Sequence, residues 1–338
     1  MTGILNSRIV LAQHPQGMPQ LTDFTFESAI PVAAPGPGEV IVEVDVLGID
    51  AFIRTMLEDR KGYHGSVGIG DTVTALGVGR ITHSAAEGFE PGDAVFGPLG
   101  AQTVARLPAA FLRKIDTSAV PATTYLGALG LTTGLTAYFG MHAVGAIKPG
   151  DTVVVSAAAG AVGSLAGQIA RLEGAGRVIG IAGGPRKTAF LVDELHFDAA
   201  IDYKNDDVAE RLSELAPNGV DVFFDNVGGA ILDAVLMQIR EGARVVICGA
   251  ISQYSDMANV SGPSNYLKLA ERHSRMEGFA VTHFAEQFPE AELALTGWLR
   301  GGELVVHEHV EHGIEQFPQA LQMLFTGGHE GKLLLSMT

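Results

Sequence analysis

The chain has 338 residues, of which 47% are hydrophobic, and its 38 acidic side chains outnumber 22 lysines and arginines, giving a formal net charge of −16 at pH 7. This length exceeds what a single hydrophobic core usually holds, so we expect two domains. The acidic balance argues against nucleic acids and anionic membranes as partners.

Cys248 is the only cysteine, which excludes an intrachain disulfide and a multi-cysteine zinc site and suits a reducing compartment. The first residues lack the continuous apolar core of a signal peptide, and no stretch has the length of a membrane span. We therefore expect a soluble cytoplasmic protein.

Residues 1 to about 120 are predicted to be β-rich, because short alternating segments are separated by turns. The predicted strands are Arg8–Gln13, Glu39–Leu47, Thr74–His83, Ala94–Phe96 and Gln102–Ala105. This set predicts a partly open barrel. The next segment, Tyr125–Val144, is apolar and rich in glycine, and it is predicted to be a helical connector to the second domain.

From Gly150 to about Val281 apolar strands alternate with helical segments, which predicts a doubly wound parallel sheet. The six predicted strands are Val153–Val155, Val178–Ile181, Ala199–Ile201, Val220–Phe224, Arg244–Cys248 and Gly278–Val281. Helices at Glu292–Arg300 and Phe317–Phe325 and strands at Glu303–Val310 and Lys332–Leu335 follow, and these are expected to return to the first domain. The predicted division is residues 1–125 and 300–338 against residues 126–299.

One strand, turn and helix lie within Thr152–Gly174. Gly160 lets the backbone approach an anion, the first N–H groups of the new helix point towards it, and Gly163 lets helix and strand pack closely. The first glycine of the dinucleotide fingerprint is replaced by Ala158, so an ordinary strand–helix turn is the alternative. The further strand–helix units that follow favour dinucleotide binding.

The second strand of this region, Arg177–Ala182, is followed by Arg186 and Lys187, and the first acidic residue after it is Asp193. An NAD enzyme usually places an acid near this strand end for the ribose 2′-hydroxyl, whereas Arg or Lys suits a 2′-phosphate. The cofactor is therefore predicted to be NADPH. The alternative, a solvated basic helix start, is less favoured because cations there oppose the helix dipole.

Several motifs occur in order along the chain: AAAGAVG at 157–163, FFDNVGG at 223–229, CGAISQY at 248–254, MEGF at 276–279 and GK at 331–332. With them the chain resembles the zinc-independent medium-chain dehydrogenase/reductases, in the prostaglandin reductase and curcumin reductase group. The resemblance implies a Rossmann domain with a GroES-like catalytic domain, a homodimer, and NADPH-dependent reduction of the C=C bond of α,β-unsaturated ketones and aldehydes.

The resemblance also implies site residues. Those expected to contact NADPH are Gly160, Ala161, Val162, Gly163, Lys187, Tyr203, Asn226, Cys248, Gly249, Tyr254, Phe279, Ala280, Val281 and His329. Tyr203 is interpreted equally well as a strand-end aromatic, and Cys248 as a small buried hydrophobe rather than a nucleophile. Phe52 and Tyr63 are expected to line the substrate.

Tyr254 is the predicted catalytic residue, because its phenol could polarise the substrate carbonyl or donate a proton; shielding of the cofactor is the alternative. Relatives usually carry Pro-Tyr where this chain has Ala51-Phe52, Trp at Ala101 and Asn at His329, and the substitution at Ala101 predicts a wider site. No metal is expected. A quinone reductase and a non-catalytic NADPH-binding protein remain alternative functions.

Overall fold

The computed structural model describes residues 3–59, 65–257 and 259–338. The chain forms two compact units, one of Met1–Leu126 with Glu308–Thr338 and one of Gly127–His307. In the part of the chain that is described, no helix has the length and apolar character needed to cross a membrane.

The return to the first unit lies after His307, whereas the sequence placed it at residue 300. The Gln168 side chain explains the difference, because its oxygen accepts from the Val305 N–H at 2.8 Å and its amide donates to the Val305 carbonyl at 3.0 Å. The His307 ring also meets the Phe190 ring edge to face, with centroids 5.1 Å apart. These contacts keep the segment before the return with the second unit.

The first unit is built around β3, which pairs with three neighbouring strands. Its elements, numbered along the whole chain, are β1 (Leu5–Leu11), β2 (Phe24–Pro31), β3 (Glu39–Gly48), α1 (Phe52–Met56), β4 (Gly77–Ser84), β5 (Ala94–Gly97), β6 (Val104–Pro108), β7 (Arg113–Lys114), β14 (Glu308–His312), α9 (Phe317–Thr326) and β15 (Lys332–Ser336). The larger sheet has the order β14-β15-β3-β4-β5-β7 with β6 also on β3, and β1 pairs with β2. Single bridges from Arg8 to Gln102 and from Val10 to Thr72 extend this arrangement. The predicted fold class, a Rossmann sheet with a GroES-like barrel, is confirmed.

The second unit contains one six-stranded parallel sheet. Its elements are α2 (Gly134–Phe139), β8 (Thr152–Ser156), α3 (Ala161–Leu172), β9 (Arg177–Ala182), α4 (Pro185–Ala189), β10 (Ala199–Asp202), α5 (Val208–Leu215), β11 (Val220–Asp225), α6 (Gly229–Leu236), β12 (Ile239–Ile247), α7 (Leu267–Glu271), β13 (Arg275–Gly278) and α8 (Phe288–Gly301). The strand order is β10-β9-β8-β11-β12-β13. The order reverses between β8 and β11, and ligands of such sheets bind at the carboxyl ends of the strands beside this switch point.

Two strand predictions need correction, and two strands were missed. The sixth parallel strand is Arg275–Gly278 rather than Gly278–Val281, and the strand placed at Glu303–Val310 is Glu308–His312. The sequence prediction did not include β2 or the two-residue β7. All four lie at sheet edges or in a two-stranded sheet, where most residues are exposed, so no continuous apolar run marks their bounds.

The helix that follows β8 packs through a glycine. A Cβ on Gly167 of α3 would overlap the ring of Phe197, which is itself buried. In α8, by contrast, a Cβ on Gly297 would meet no atom of the described residues within 4 Å beyond the backbone of its own helix. The two glycines therefore occupy similar positions within helices but differ in what surrounds them.

We expect Gly167→Ala to lower the free energy of unfolding by about 1–3 kcal/mol, because the added methyl forces the Phe197 ring to move. Gly297→Ala should raise it by about 0.5–1 kcal/mol through helix propensity alone. Urea denaturation of both variants measures the difference. An equal change in the two variants would contradict the packing argument.

Candidate active site

The turn between β8 and α3 forms a cradle for an anion. A Cβ on Gly163 would overlap the carbonyl of Ala157, so only glycine allows this close approach of helix and strand. Among the described residues, and apart from its two chain neighbours, a Cβ on Gly160 would have only the Ala157 oxygen within 4 Å, at 3.2 Å, which leaves the other side of Gly160 open. The predicted residues Gly160 to Gly163 thus form the cap and first turn of a twelve-residue helix. Their N–H groups and the open backbone fit a pyrophosphate.

The alanine that replaces the first fingerprint glycine has a structural explanation. Ala158 is fully buried, and its N–H donates to the carbonyl of Ile181 at 3.0 Å. The left-handed conformation falls instead on Ala157, with φ +47°. The chain therefore makes the sharp turn one residue earlier, and a methyl group is accommodated at Ala158.

Lys187 and Lys204 follow the carboxyl ends of the neighbouring strands β9 and β10. Lys187 is half-buried in α4, and the Tyr203 ring covers Gly183, where a Cβ would lie 2.8 Å from Tyr203 Cε1 and 3.0 Å from Lys204 Cε. Because Gly183 has no side chain, the phenol ring of Tyr203 and the side chain of Lys204 can both lie against its backbone. This arrangement fits a phosphate monoester, for which ammonium groups are suitable partners.

Asp202, the last residue of β10, connects the loops that follow β9 and β10. Its carboxylate accepts from the Gly184 N–H at 2.6 Å, from the Lys204 N–H at 3.1 Å and from the Asn205 amide at 2.7 Å. The Gly184 N–H is the chief cause that lowers the pKa of Asp202 from its usual value. The negative charge of Asp202 is therefore engaged by one donor from the loop after β9 and by two donors from its own loop.

Asn226 lies at the switch point, directly after β11. Its N–H donates to the Ser156 hydroxyl at 2.8 Å, and its amide donates to the Ser156 carbonyl at 2.7 Å. The Ser156 hydroxyl in turn donates to the carboxylate of Asp225 at 2.8 Å. Asp225 has no exposed surface and also accepts from the N–H groups of Val227 and Gly228. Burial raises the pKa of Asp225, and these three donors act against that rise.

Tyr254 places its hydroxyl against the end of β12. The hydroxyl oxygen accepts from the Ala250 N–H at 3.2 Å, and a Cβ on Gly249 would lie 3.0 Å from it. Burial raises the pKa of the Tyr254 phenol, so the hydroxyl stays protonated. Within the described residues its proton has no acceptor, which leaves it available for a ligand. Gly249, one of the residues expected to contact NADPH, thus has this hydroxyl beside its backbone.

Cys248 is a thiol that does not ionise near neutral pH. Desolvation by the surrounding protein, with a smaller effect of the Asp225 charge, raises its pKa to about 12. Since the thiolate is the reactive form, this environment disfavours a nucleophilic role.

The residues predicted around the nicotinamide after the sixth strand lie beyond the end of β13. The Phe279 ring packs inside the second unit, where a Cβ on Gly140 would lie 2.9 Å from its Cζ and where the Phe284 ring centroid is 6.3 Å away. Ala280 and Val281 are half-buried next to it. Their contact with a cofactor stays a prediction.

In the first unit, buried ion pairs fix the short helix α1. Lys332 donates to Asp50, just before the helix, at 2.6 Å, and both are at least nine-tenths buried. Arg54, inside the helix, is 1% exposed and bonds Glu58 at 2.6 Å. Phe52, the first helical residue, is half-buried.

Two further predicted residues belong to this unit. His329 is buried, at 5% exposure, and Tyr63 lies outside the described residues. The proposed roles of Phe52, Tyr63 and His329 remain predictions.

Comparison with known proteins assigns the chain to a family. Residues 7–115 match the family described as N-terminal domain of oxidoreductase, and residues 161–296 match that described as zinc-binding dehydrogenase. The chain is 44% identical over 336 residues to the putative NADP-dependent oxidoreductase YfmJ of Bacillus subtilis, covering 98% of this chain and 97% of that protein. It is a medium-chain dehydrogenase/reductase. The family membership predicted from the sequence motifs is confirmed.

Two further comparisons extend this medium-chain dehydrogenase/reductase assignment. The chain is 35% identical to the 2-alkenal reductase (NADP(+)-dependent) of Nicotiana tabacum, covering 99% of this chain and 98% of that protein. The crystal structure of CurA in complex with NADPH from Vibrio vulnificus matches with a TM-score of 0.92 and 35% identity, covering 98% of this chain and 99% of that chain.

One of the two matched family models is described as zinc-binding dehydrogenase. The described residues nevertheless do not form a metal site. Among residues 3–59, 65–257 and 259–338, no group of three or more His, Cys, Asp or Glu side chains is arranged to hold a metal ion. Strand β14 carries His309 and His312, and these bond Glu311 and the Thr338 carbonyl instead.

Sequence reasoning missed several residues of this medium-chain dehydrogenase/reductase site. Ser156 and Asp225 are the last residues of β8 and β11, and Lys204 follows Tyr203 directly. The signal was present, because a polar residue that ends a buried apolar strand marks the edge where ligands bind. The pairing of Ser156 with Asp225 could not be found this way, since 69 positions separate them in the chain.

The buried ion pair between Lys332 and Asp50 allows a test of how burial changes the contribution of an ion pair to stability. Lys332→Met should lower the free energy of unfolding by about 3–5 kcal/mol, because it removes the cation beside a buried carboxylate. Lys114 and Asp93 form a pair at the same 2.6 Å, but the Lys114 side chain is 46% exposed. Lys114→Met should therefore cost at most about 1 kcal/mol. Equal losses in guanidinium denaturation would contradict the argument from burial.

Proposed function

We propose that this protein is an NADPH-dependent reductase of the C=C bond of α,β-unsaturated ketones and aldehydes. The observation that carries the proposal is the hydroxyl of the half-buried Tyr254, which stays protonated because burial raises its pKa and which accepts from the Ala250 N–H at the carboxyl edge of the sheet. The names of the relatives support it, because the Nicotiana tabacum protein is a 2-alkenal reductase that depends on NADP(+) and the CurA structure contains NADPH.

The cofactor assignment rests on the two anion-binding features of the second unit. The glycine cradle before α3 would hold the pyrophosphate, and Lys187, Lys204 and Tyr203 would hold the 2′-phosphate. The carboxylate of Asp202, at the end of β10, already accepts from Gly184, Lys204 and Asn205, which makes it a poor partner for the ribose 2′-hydroxyl of an NAD site.

The proposed chemistry assigns one role to the cofactor and the remaining roles to the protein. Bound NADPH supplies the hydride that adds to the β-carbon of the substrate. Tyr254 donates a hydrogen bond to the substrate carbonyl oxygen, where negative charge develops as the hydride arrives. The Ala250 N–H holds the phenol oxygen, so the phenolic proton points away from the backbone. The α-carbon is then protonated by Tyr254 or by water.

A substrate panel tests the proposal directly. NADPH consumption should be fast with enones and alkenals and slow with quinones, and saturated alcohols should not reduce NADP(+). A preference for quinones would favour quinone reductase activity, and no turnover with any substrate would favour a binding protein. Activity should survive a chelator, because we propose that no metal takes part. We also propose a cytoplasmic location, consistent with the single reduced cysteine.

We expect Lys187→Ala to weaken NADPH binding by roughly 10- to 100-fold, because it removes a charge-assisted contact worth about 1.5–3 kcal/mol. NADH affinity should barely change. Lys148→Ala is the matched control, since it removes the same charge from the loop before β8, at the opposite edge of the sheet. Calorimetric titration measures both cofactors, and equal weakening of NADPH and NADH would disprove the 2′-phosphate assignment.

We expect Tyr254→Phe to reduce turnover by roughly 10- to 1000-fold while NADPH affinity holds, because the ring remains and only the donor is lost. The loss should be smaller with a reactive aldehyde than with an unactivated ketone, which needs more polarisation. Full activity of the variant with a poor ketone would show that Tyr254 only shields the cofactor.

We propose a homodimer formed through the edge strand β13. Its residues are all exposed and its outer backbone groups face no strand in the described chain. Tyr266, just before α7, is 56% exposed, and Leu267, the first residue of α7, is 60% exposed. Light scattering at micromolar concentration should give twice the 35.4 kDa mass of one chain. Measurement of the single-chain mass would refute this proposal.

A further inference from the structure

Three neighbouring strands end in one hydrogen-bonded network. Ser156 ends β8 and Asp225 ends β11, and their side chains meet at 2.8 Å. The carbonyl of Asp225 also accepts from the N–H of Cys248 at 2.9 Å, just after β12. Ser156 and Asp225 are both fully buried. The network therefore fixes the edge of the sheet on both sides of the switch point.

This network dictates which atom Asn226 presents. The Ser156 carbonyl, 2.7 Å from the Asn226 side chain, can only accept, so the amide atom that faces it must be the nitrogen. The amide oxygen then points the other way, and no donor among the described residues reaches it. Asn226 is thus set up as an acceptor, although an asparagine could in principle offer either group.

The Ser156 hydroxyl controls the rest of the turn. Its single proton goes to Asp225, which as a carboxylate can only accept, so its lone pair is left to receive the Asn226 N–H at 2.8 Å. Without the hydroxyl, the Asn226 N–H loses its acceptor and the backbone that carries the amide is no longer held.

We propose that Ser156, oriented by Asp225, is a positioning residue that fixes Asn226 so that its amide oxygen accepts a hydrogen bond from a sugar hydroxyl of the bound cofactor. The inference deepens the proposed function and rests on it, because it requires NADPH to bind at this edge. Asp225 and Ser156 make no contact with the cofactor in this account and act through Asn226.

The experiment is a double-mutant cycle read by calorimetric NADPH binding, which is independent of turnover. Asn226→Ala should weaken binding by about 10-fold and Ser156→Ala by about 3- to 10-fold, the range expected for one neutral hydrogen bond. In the Asn226→Ala background, Ser156→Ala should have no further effect, because the group it positions is gone. Ser156→Cys, which keeps the volume but bonds weakly, should match Ser156→Ala.

Ser274→Ala is the matched control. The Ser274 hydroxyl also accepts a backbone N–H, from Ala243 at 3.0 Å, and donates to the Arg240 carbonyl at 3.1 Å, but at the amino edge of the sheet. This variant should leave the NADPH dissociation constant unchanged. Effects of Ser156→Ala and Asn226→Ala that multiply in the double variant would overturn the positioning role while leaving NADPH binding established. Absence of NADPH binding by the unmodified protein would instead refute the proposed function.

Discussion

The carboxylate of Asp225 has no solvent exposure, and the carboxyl edge of the parallel sheet depends on the donors gathered around it. A buried charge is tolerated only where hydrogen bonds replace the water it has lost. Here the donors are the Ser156 hydroxyl at the end of β8 and the N–H groups of Val227 and Gly228 before α6. The hydrogen bonds to this one carboxylate therefore connect two strand ends and the start of a helix. Asn226, which is proposed to contact the cofactor, follows Asp225 directly.

Glycines shape the surface of the same edge, because a different neighbouring group occupies the space that a side chain would fill at each of them. The carbonyl of Ala157 occupies the space at Gly163, the Tyr254 hydroxyl lies against Gly249, and the Tyr203 ring covers Gly183. A methyl group at any of these positions would push away a polar or aromatic group. Because these glycines let neighbouring groups approach the backbone closely, the Ala157 carbonyl, the Tyr254 hydroxyl and the Lys204 side chain all lie at the carboxyl edge of the sheet.

The sequence predicted those parts of the structure that local pattern determines. The unit from β8 to α3 was predicted because an apolar strand, small residues and a helical repeat follow one another within a short stretch. The position of β13 was not, because an exposed edge strand is defined by pairing with Ile247 and its neighbours rather than by its own composition. The link between Ser156 and Asp225 was also out of reach, since it depends on which strands become neighbours. The turn at Ala157 shows the same limit, because the fingerprint located the loop but not the residue that adopts positive φ.

The acidic character of the chain has a consequence for how its cofactor arrives. The protein carries a net charge of −16, whereas Lys187 in α4 and Lys204 after β10 place cations beyond the ends of two neighbouring strands. At about 0.01 M salt, where the Debye length is about 30 Å, the approaching anionic NADPH meets the repulsive net field before it is close enough for these cations to attract it. Added salt should weaken both the net repulsion that slows association and the ionic contact that slows dissociation. Association should become faster and dissociation faster as well, which is unlike the behaviour of proteins that steer their ligands by overall charge.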